Sequence, residues 1–315
     1  MLNRRHIRVK VMQSLYSISC KKEFSLPKEE KFLTESIGQL YNLYLLLVDI
    51  IIEIHAYAKE DAVRHANKIL ATEEEKNPNT AFINNQVLLK LSGNKALQDE
   101  LDKRKLRNWR LDSEYVSLLY KTLIESNLYK EYLKSTTRDF DTDKIFVEAF
   151  YTKIVAPNDK LYDYLEDQRL TWLDDLPIVN MNIIKRLQKI KVNSPESTLL
   201  PNLYKNDEDR VFALELLAKT VTEDNFLADE VANNTPNWDK ERIADVDMVL
   251  IKMALCEFLK FPSIPVKVTI NEYLEIAKEY STIKSSIFIN GILDKLVKKY
   301  QQSDSLKKSG RGLQE

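Results

Sequence analysis

Apolar residues recur at spacings of three and four through most of this chain, the periodicity of amphipathic helices and not of half-buried strands. Residues 3–19 read as a helix. Ile7, Val11, Leu15 and Ile18 share one face, Val9, Met12 and Tyr16 another, and Arg4, Arg5 and Arg8 lie on the arc between them. That pattern predicts a basic stripe held by the core yet facing solvent. Ser25 with Pro27 marks a second helix start, which Ile37, Leu40, Tyr41, Tyr44, Leu47, Val48, Ile51 and Ile52 carry to about residue 57. Lys59 to Lys76 continues as a polar helix, Asn77-Pro78-Asn79 breaks it, and residues 81–107 hold one or two helices interrupted near Ser92-Gly93-Asn94.

Towards the other end, Pro195 and Pro201 bracket a loop, followed by short helices at 209–220 and 223–232. Asp239 to Leu259 gives one or two helices with Val249, Leu250, Met253, Ala254 and Phe258 inward, ended by Pro262 and Pro265. Ile270, Tyr273, Leu274 and Ala277 line the next. Ser285 is the expected N-cap of a last helix, Ser286 to about Tyr300. The polar tail from Gln301 is expected to be disordered.

A weak repeat runs through the middle. Asp143, Phe146, Lys153, Val155, Asn158, Leu161 and Trp172 recur 66 positions later as Asp209, Phe212, Lys219, Val221, Asp224, Leu227 and Trp238. After a one-residue slip, Leu176, Val179, Asn180, Ile184 and Lys185 match Ile243, Val246, Asp247, Ile251 and Lys252. Chance likeness between amphipathic helices is one explanation. The paired tryptophans weigh towards a duplicated helical unit.

Composition agrees with an all-α fold. Five Gly and nine Pro in 315 residues leave little material for strands and tight turns, and 44% hydrophobic residues suffice for a sizeable core. Net charge is −1, so only local charge is informative. Arg4, Arg5, Arg8, Lys10, Lys21 and Lys22 precede the first acid, Glu23, which suggests one defined anionic contact. An Arg-rich, acid-poor beginning also suits an organelle transit peptide. Cys20 and Cys256 are too far apart for a metal motif and give no disulfide framework, so a reducing cytoplasmic setting is expected. The most apolar run, Leu43 to Ile54, is about a dozen residues and carries Asp49 and Glu53. A membrane span needs roughly 20.

Enzyme chemistry finds little support. The glycines are scattered and form no phosphate-cradling loop. His6, His55 and His65 lack metal-ligand spacing. No catalytic residue, metal or cofactor is expected.

The segments ERIADVDMVLIKMALCEFL (241–259), IPVKVTINEYLEIAKEY (264–280) and SIFINGILDKL (286–296) resemble, in order and spacing, the closing helices of the NusB family. RRHIRVKVMQSLY (4–16) resembles that family's arginine-rich first helix. The resemblance divides the chain into 1–20, the first helix of the bundle, 21–204, an inserted helical region, 205–300, the C-terminal bundle, and the tail 301–315. It implies a transcription antitermination factor that binds boxA-like single-stranded RNA of ribosomal RNA transcripts, together with the ribosomal protein NusE and the transcription elongation complex. By the same resemblance Arg4, Arg5 and Arg8 contact RNA, with Lys10, His6 and Gln13 as weaker candidates on the same helix. Phe288 stacks a base at the start of the last helix, beside Ser285 and Lys284, the latter a departure from a position often acidic. Asp247 and Glu241 face the ribosomal partner. Gly291, mid-helix, is expected to permit a close helix approach. The alternative is a helical protein–protein scaffold that keeps the fold without selective RNA binding.

Overall fold

Short polar side chains set most of the helix starts. A side-chain oxygen just before a helix accepts one of the backbone N–H groups that the first turn leaves without a partner. Asn3 does this for α1 (Arg4–Ser19), accepting from the His6 amide at 3.0 Å. Helix α2 (Leu26–Ala66) begins beside Pro27 as expected and continues into the polar stretch, but ends at Ala66, short of the Lys76 to which helix was expected. The structure, a computed structural model, describes residues 1–69, 72–136, 138–234 and 243–313. Among them every regular element is a helix and none is a strand.

The polar stretch after α2 is not continuous helix. It restarts as α3 (Glu73–Lys76), where Thr72 and Glu75 cap each other's backbone. The T-x-x-E spacing of such a box was readable in the sequence. Next come α4 (Gln86–Ser92) and α5 (Lys95–Lys103), capped by Asn85 and Asn94, with the break at Gly93 where it was expected. Then follow α6 (Asn108–Leu111), α7 (Ser113–Glu125) and α8 (Asn127–Lys134). Helix α9 (Phe140–Phe150) runs into a π-turn at Tyr151–Val155, and α10 (Asp159–Gln168) and α11 (Thr171–Lys189) complete the series.

The chain forms two compact units, one of Met1 and Gly38–Leu203, the other of Leu2–Ile37 and Tyr204–Glu315. In the first, α2 supplies a mostly apolar core stretch from Leu43 to Ile54, interrupted by the 6%-exposed Asp49 and the half-buried Glu53. Its neighbours hydrogen-bond to α2 backbone or to each other across the core: Trp109 Nε1 donates to Leu46 O and Trp172 Nε1 to Gln39 O. Buried Asp143 accepts from the Gln86 amide at 2.7 Å and the Tyr132 hydroxyl at 2.6 Å, so its carboxylate is satisfied where solvent is excluded. Helix α2 is long and apolar enough to cross a membrane by length and composition, more so than the run from Leu43 suggested. However, 78% of its most apolar window is buried inside the fold, as in a core helix.

In the second unit, α12 (Asp207–Thr222), α13 (Asp224–Asn234), α14 (Asp245–Lys260), α15 (Val266–Tyr280) and α16 (Ile283–Gln302) follow in order. Helix α1 packs against α12, α14 and α15, and α16 against α14 and α15. The matched positions of the repeat fall on helices of the same order: Asp143 and Asp209 each occupy a first turn, and Asn158 caps α10 where Asp224 opens α13. Trp238 lies outside the described residues.

Three expectations are corrected here. The α1 stripe does not face solvent throughout, because Arg8 and Lys10 are buried. The last helix starts at Ile283, capped by Thr282, which accepts from the Ser285 amide. A helix continuing three residues further back captures Ser285 inside its first turn. The tail as far as residue 313 is ordered against the fold: Ser309 N–H donates to Pro262 O at 3.0 Å, Lys308 Nζ to Phe261 O at 3.1 Å, and Gly310–Leu313 form a 3-10 turn.

Gly291 is also unlike its expectation. It is exposed in the interior of α16, and a Cβ built on it meets nothing within 4 Å. With no close approach to preserve, only the backbone freedom of glycine remains, at a cost of about 1 kcal/mol against alanine in a helix. Gly291→Ala is expected to raise stability by about 0.5–1 kcal/mol. The measurement is a higher urea midpoint with an unchanged slope.

Candidate nucleic-acid interface

The basic residues at the start of α1 are positioned by acids on three other helices. Arg8 is the deepest. Its Nε and Nη2 donate to Glu257 Oε2 and Oε1 at 2.8 and 2.7 Å, with side-chain exposures of 2% and 0%. Thr269 donates to Glu257 Oε1 at 2.6 Å and Tyr273 to Oε2 at 3.3 Å. Arg8 also lies 5.2 Å from the Phe212 ring centroid. Burial alone would lower the guanidinium's pKa. Attraction to Glu257 and the bidentate bond outweigh it, and hold it above the usual arginine range. Arg8 is thus almost wholly withdrawn from solvent and engaged by Glu257, so the structure shows it as an internal tie between α1 and α14 and not as part of an exposed basic stripe. An acid within the apolar segment MALCEFL was the sequence signal that such a partner existed.

Arg4 and Arg5 remain accessible. Arg5 Nε and Nη2 donate to Glu272 at 3.0 and 2.9 Å, and Arg4 Nε donates to Asp209 at 3.0 Å. Their side chains keep 38% and 33% exposure. Both line a cleft of about 520 Å³ whose other walls are Asn3, Arg8, the Ser263–Pro265 loop, Val268, Glu272 and Arg311. The sequence reading missed Glu272, Asp209 and Arg311, since nothing local ties residues more than 200 positions apart to α1.

The other candidates disperse. Lys10 is buried. His6, at the edge of the core, is driven down to about pKa 4 by burial and by the neighbouring Arg5, so it is neutral at pH 7. Lys284 is exposed, and Phe288 is half-buried. Ser285 is 9% exposed, its hydroxyl bonded to Ser281 and Thr282. None of these three contributes to the described lining of the cleft. Asp247 is only 4% exposed in the first turn of α14 and its Oδ1 is buried without a hydrogen-bond partner, so it does not present a face to another protein. Its charge there is favoured by the amides of a helix N-terminus. Glu241 lies outside the described residues. No group of three or more potential metal ligands occurs among the described residues.

The model of the NusB family matches residues 170–298, starting with α11, earlier than the sequence resemblance did. The transcription antitermination protein NusB of Salinibacter ruber is 39% identical over 110 residues, 34% of this chain and 69% of that protein. The NusB of Finegoldia magna is 37% identical over 102 residues, 32% of this chain and 73% of that protein. That of Chloroherpeton thalassium is 34% identical over 128 residues, 40% of this chain, and the match spans 61% of that protein's length. No solved structure matches the chain.

Arg8→Ala is expected to cost about 3–5 kcal/mol because it leaves Glu257 charged and buried. Arg4→Ala is expected to cost about 1 kcal/mol or less. Chemical denaturation of both variants checks the contrast. His6 makes a second prediction. An unfolded His titrates near 6.5 and the folded one near 4, so between these values only the unfolded chain takes up the proton. Stability therefore falls as pH drops through that window. His6→Gln is expected to flatten that part of the stability–pH curve.

Proposed function

This chain belongs to the NusB family, and from that membership we propose that it is a transcription antitermination factor that binds single-stranded RNA without catalysis. The observation that carries the RNA reading is the cleft bordered by Arg4 and Arg5. It is open to solvent, and its guanidiniums are held in fixed orientation by Glu272 and Asp209. Planar guanidiniums bind phosphate bidentately and stack on unpaired bases. Arg4 engages Asp209 through Nε, and Arg5 engages Glu272 through Nε and Nη2, leaving other N–H groups for a ligand.

A boxA-like element of ribosomal RNA transcripts is the proposed ligand, with NusE as the protein partner and the elongation complex as the setting, in the cytoplasm. In this reading Lys284 and Phe288 on the first two turns of α16 add electrostatic and stacking contacts to a strand leaving the cleft. The region between the first helix and the start of the family match at residue 170 is proposed as an insertion, built partly from a duplicated helical unit.

One observation favours a second reading, the scaffold that keeps the fold without selective RNA binding: Arg4, Arg5 and Arg8 are each already paired with an acid. The two differ in sequence preference and in salt dependence. Arg4→Ala with Arg5→Ala is expected to weaken binding to a boxA-like oligoribonucleotide and to make its log affinity less steep in log salt by about 0.7 per lost phosphate contact. Titration against a scrambled oligonucleotide over a salt series checks it. Equal affinity for both sequences, untouched by the double substitution, would favour the scaffold.

A further inference from the structure

We propose that the C-terminal segment 303–313 is a strap that completes the RNA cleft and that Arg311 is a phosphate-binding residue of it. The inference rests on the RNA reading above. Three features anchor the strap to the turn between α14 and α15. Ser309 N–H donates to Pro262 O at 3.0 Å. Lys308 Nζ donates to Phe261 O at 3.1 Å, at the carbonyl end of α14, where a cation is favoured. Gly312 is buried against Pro262, so closely that a Cβ on it would lie 1.9 Å from the carbonyl oxygen. Gly310, at φ +54°, turns the chain through a left-handed conformation natural to glycine. The two glycines of a polar tail therefore have separate jobs, one to turn the chain and one to let it lie flat.

Between them stands Arg311, which the strap places in the wall of the cleft beside Arg4 and Arg5. Those two are already paired with Asp209 and Glu272. Arg311 is exposed and makes no ion pair among the described residues. Of the arginines lining the cleft it is therefore the one whose charge is not offset at short range. An unpaired guanidinium at a basic cleft gains most from a phosphate, because no existing partner has to be displaced. The cleft keeps its volume of about 520 Å³ with the strap in place, so the segment walls the site and does not fill it.

The test is RNA titration of the full chain over a salt series, with a boxA-like oligoribonucleotide as the probe. Limited trypsin digestion reports on the strap. Arg311→Ala is expected to weaken binding roughly three- to tenfold and to make the log–log salt dependence shallower by about 0.7, with the tail still protected from trypsin. Arg311→Lys should restore most of the slope. Gly312→Val should expel the strap: faster cleavage after Lys307 and Lys308, the same loss of affinity, and no further loss on adding Arg311→Ala. If Arg311→Ala leaves affinity and slope unchanged while the Arg4 and Arg5 substitutions lower both, the strap assignment is overturned and the RNA reading stands. Tighter binding by Gly312→Val would also overturn it, identifying the segment as an occluder. A wild-type chain that does not bind the probe overturns the RNA reading and the strap with it.

Discussion

A guanidinium keeps its charge even at 2% exposure, so it is tolerated there only beside an equally buried anion with its lone pairs engaged, and the Arg8–Glu257 pair meets that condition. Glu257 takes two bonds from Arg8, one from Thr269 and one from Tyr273. Four interactions at one carboxylate join α1, α14 and α15, with Phe212 of α12 against the cation. A misregistered α1 would leave an uncompensated charge in an apolar interior, which is far worse than a lost contact. The pair therefore fixes the rotation of α1, and with it where Arg4 and Arg5 emerge.

Arg8, one turn along the helix from Arg4, shows how depth sorts similar residues into different work. The same side chain is a tie at the centre of the unit and a half-exposed, cleft-lining group at its edge. On the proposed RNA reading, the acids beside Arg4 and Arg5 would have two effects on an incoming strand. They compete with phosphate for the guanidiniums, which lowers affinity. They also hold two long side chains in place, so less rotamer entropy is lost on binding. A cleft of this kind trades strength for geometry, and an unpaired arginine at its rim shifts the balance back.

His6 adds a limit to the acid side. Next to Arg5 and partly withdrawn from water, it is kept neutral. A second positive charge there would be repelled by Arg5, and in the folded protein it forms only as the pH falls towards about 4.

Much of this architecture was legible before any folding was considered. Helix content, the break at Gly93, the apolar faces of α14 and α15, and the arginine-rich opening follow from periodicity and composition, because each depends on residues within a few turns of one another. The start at Ile283 was misjudged by a few residues, since capping by Thr282 competes with periodicity at the helix end, and the polar stretch expected as helix as far as Lys76 is divided between the end of α2 and a separately capped α3. What the sequence could not decide was which arginine faces inward, which acid meets it, and where the tail lies. Glu257 and Glu272 are about 250 to 270 positions from α1, and Gly312 is silent until Pro262 is beside it. Local spacing determines which elements form, whereas burial and charge pairing, and therefore function, are properties of residues that only the tertiary fold brings within a few ångströms.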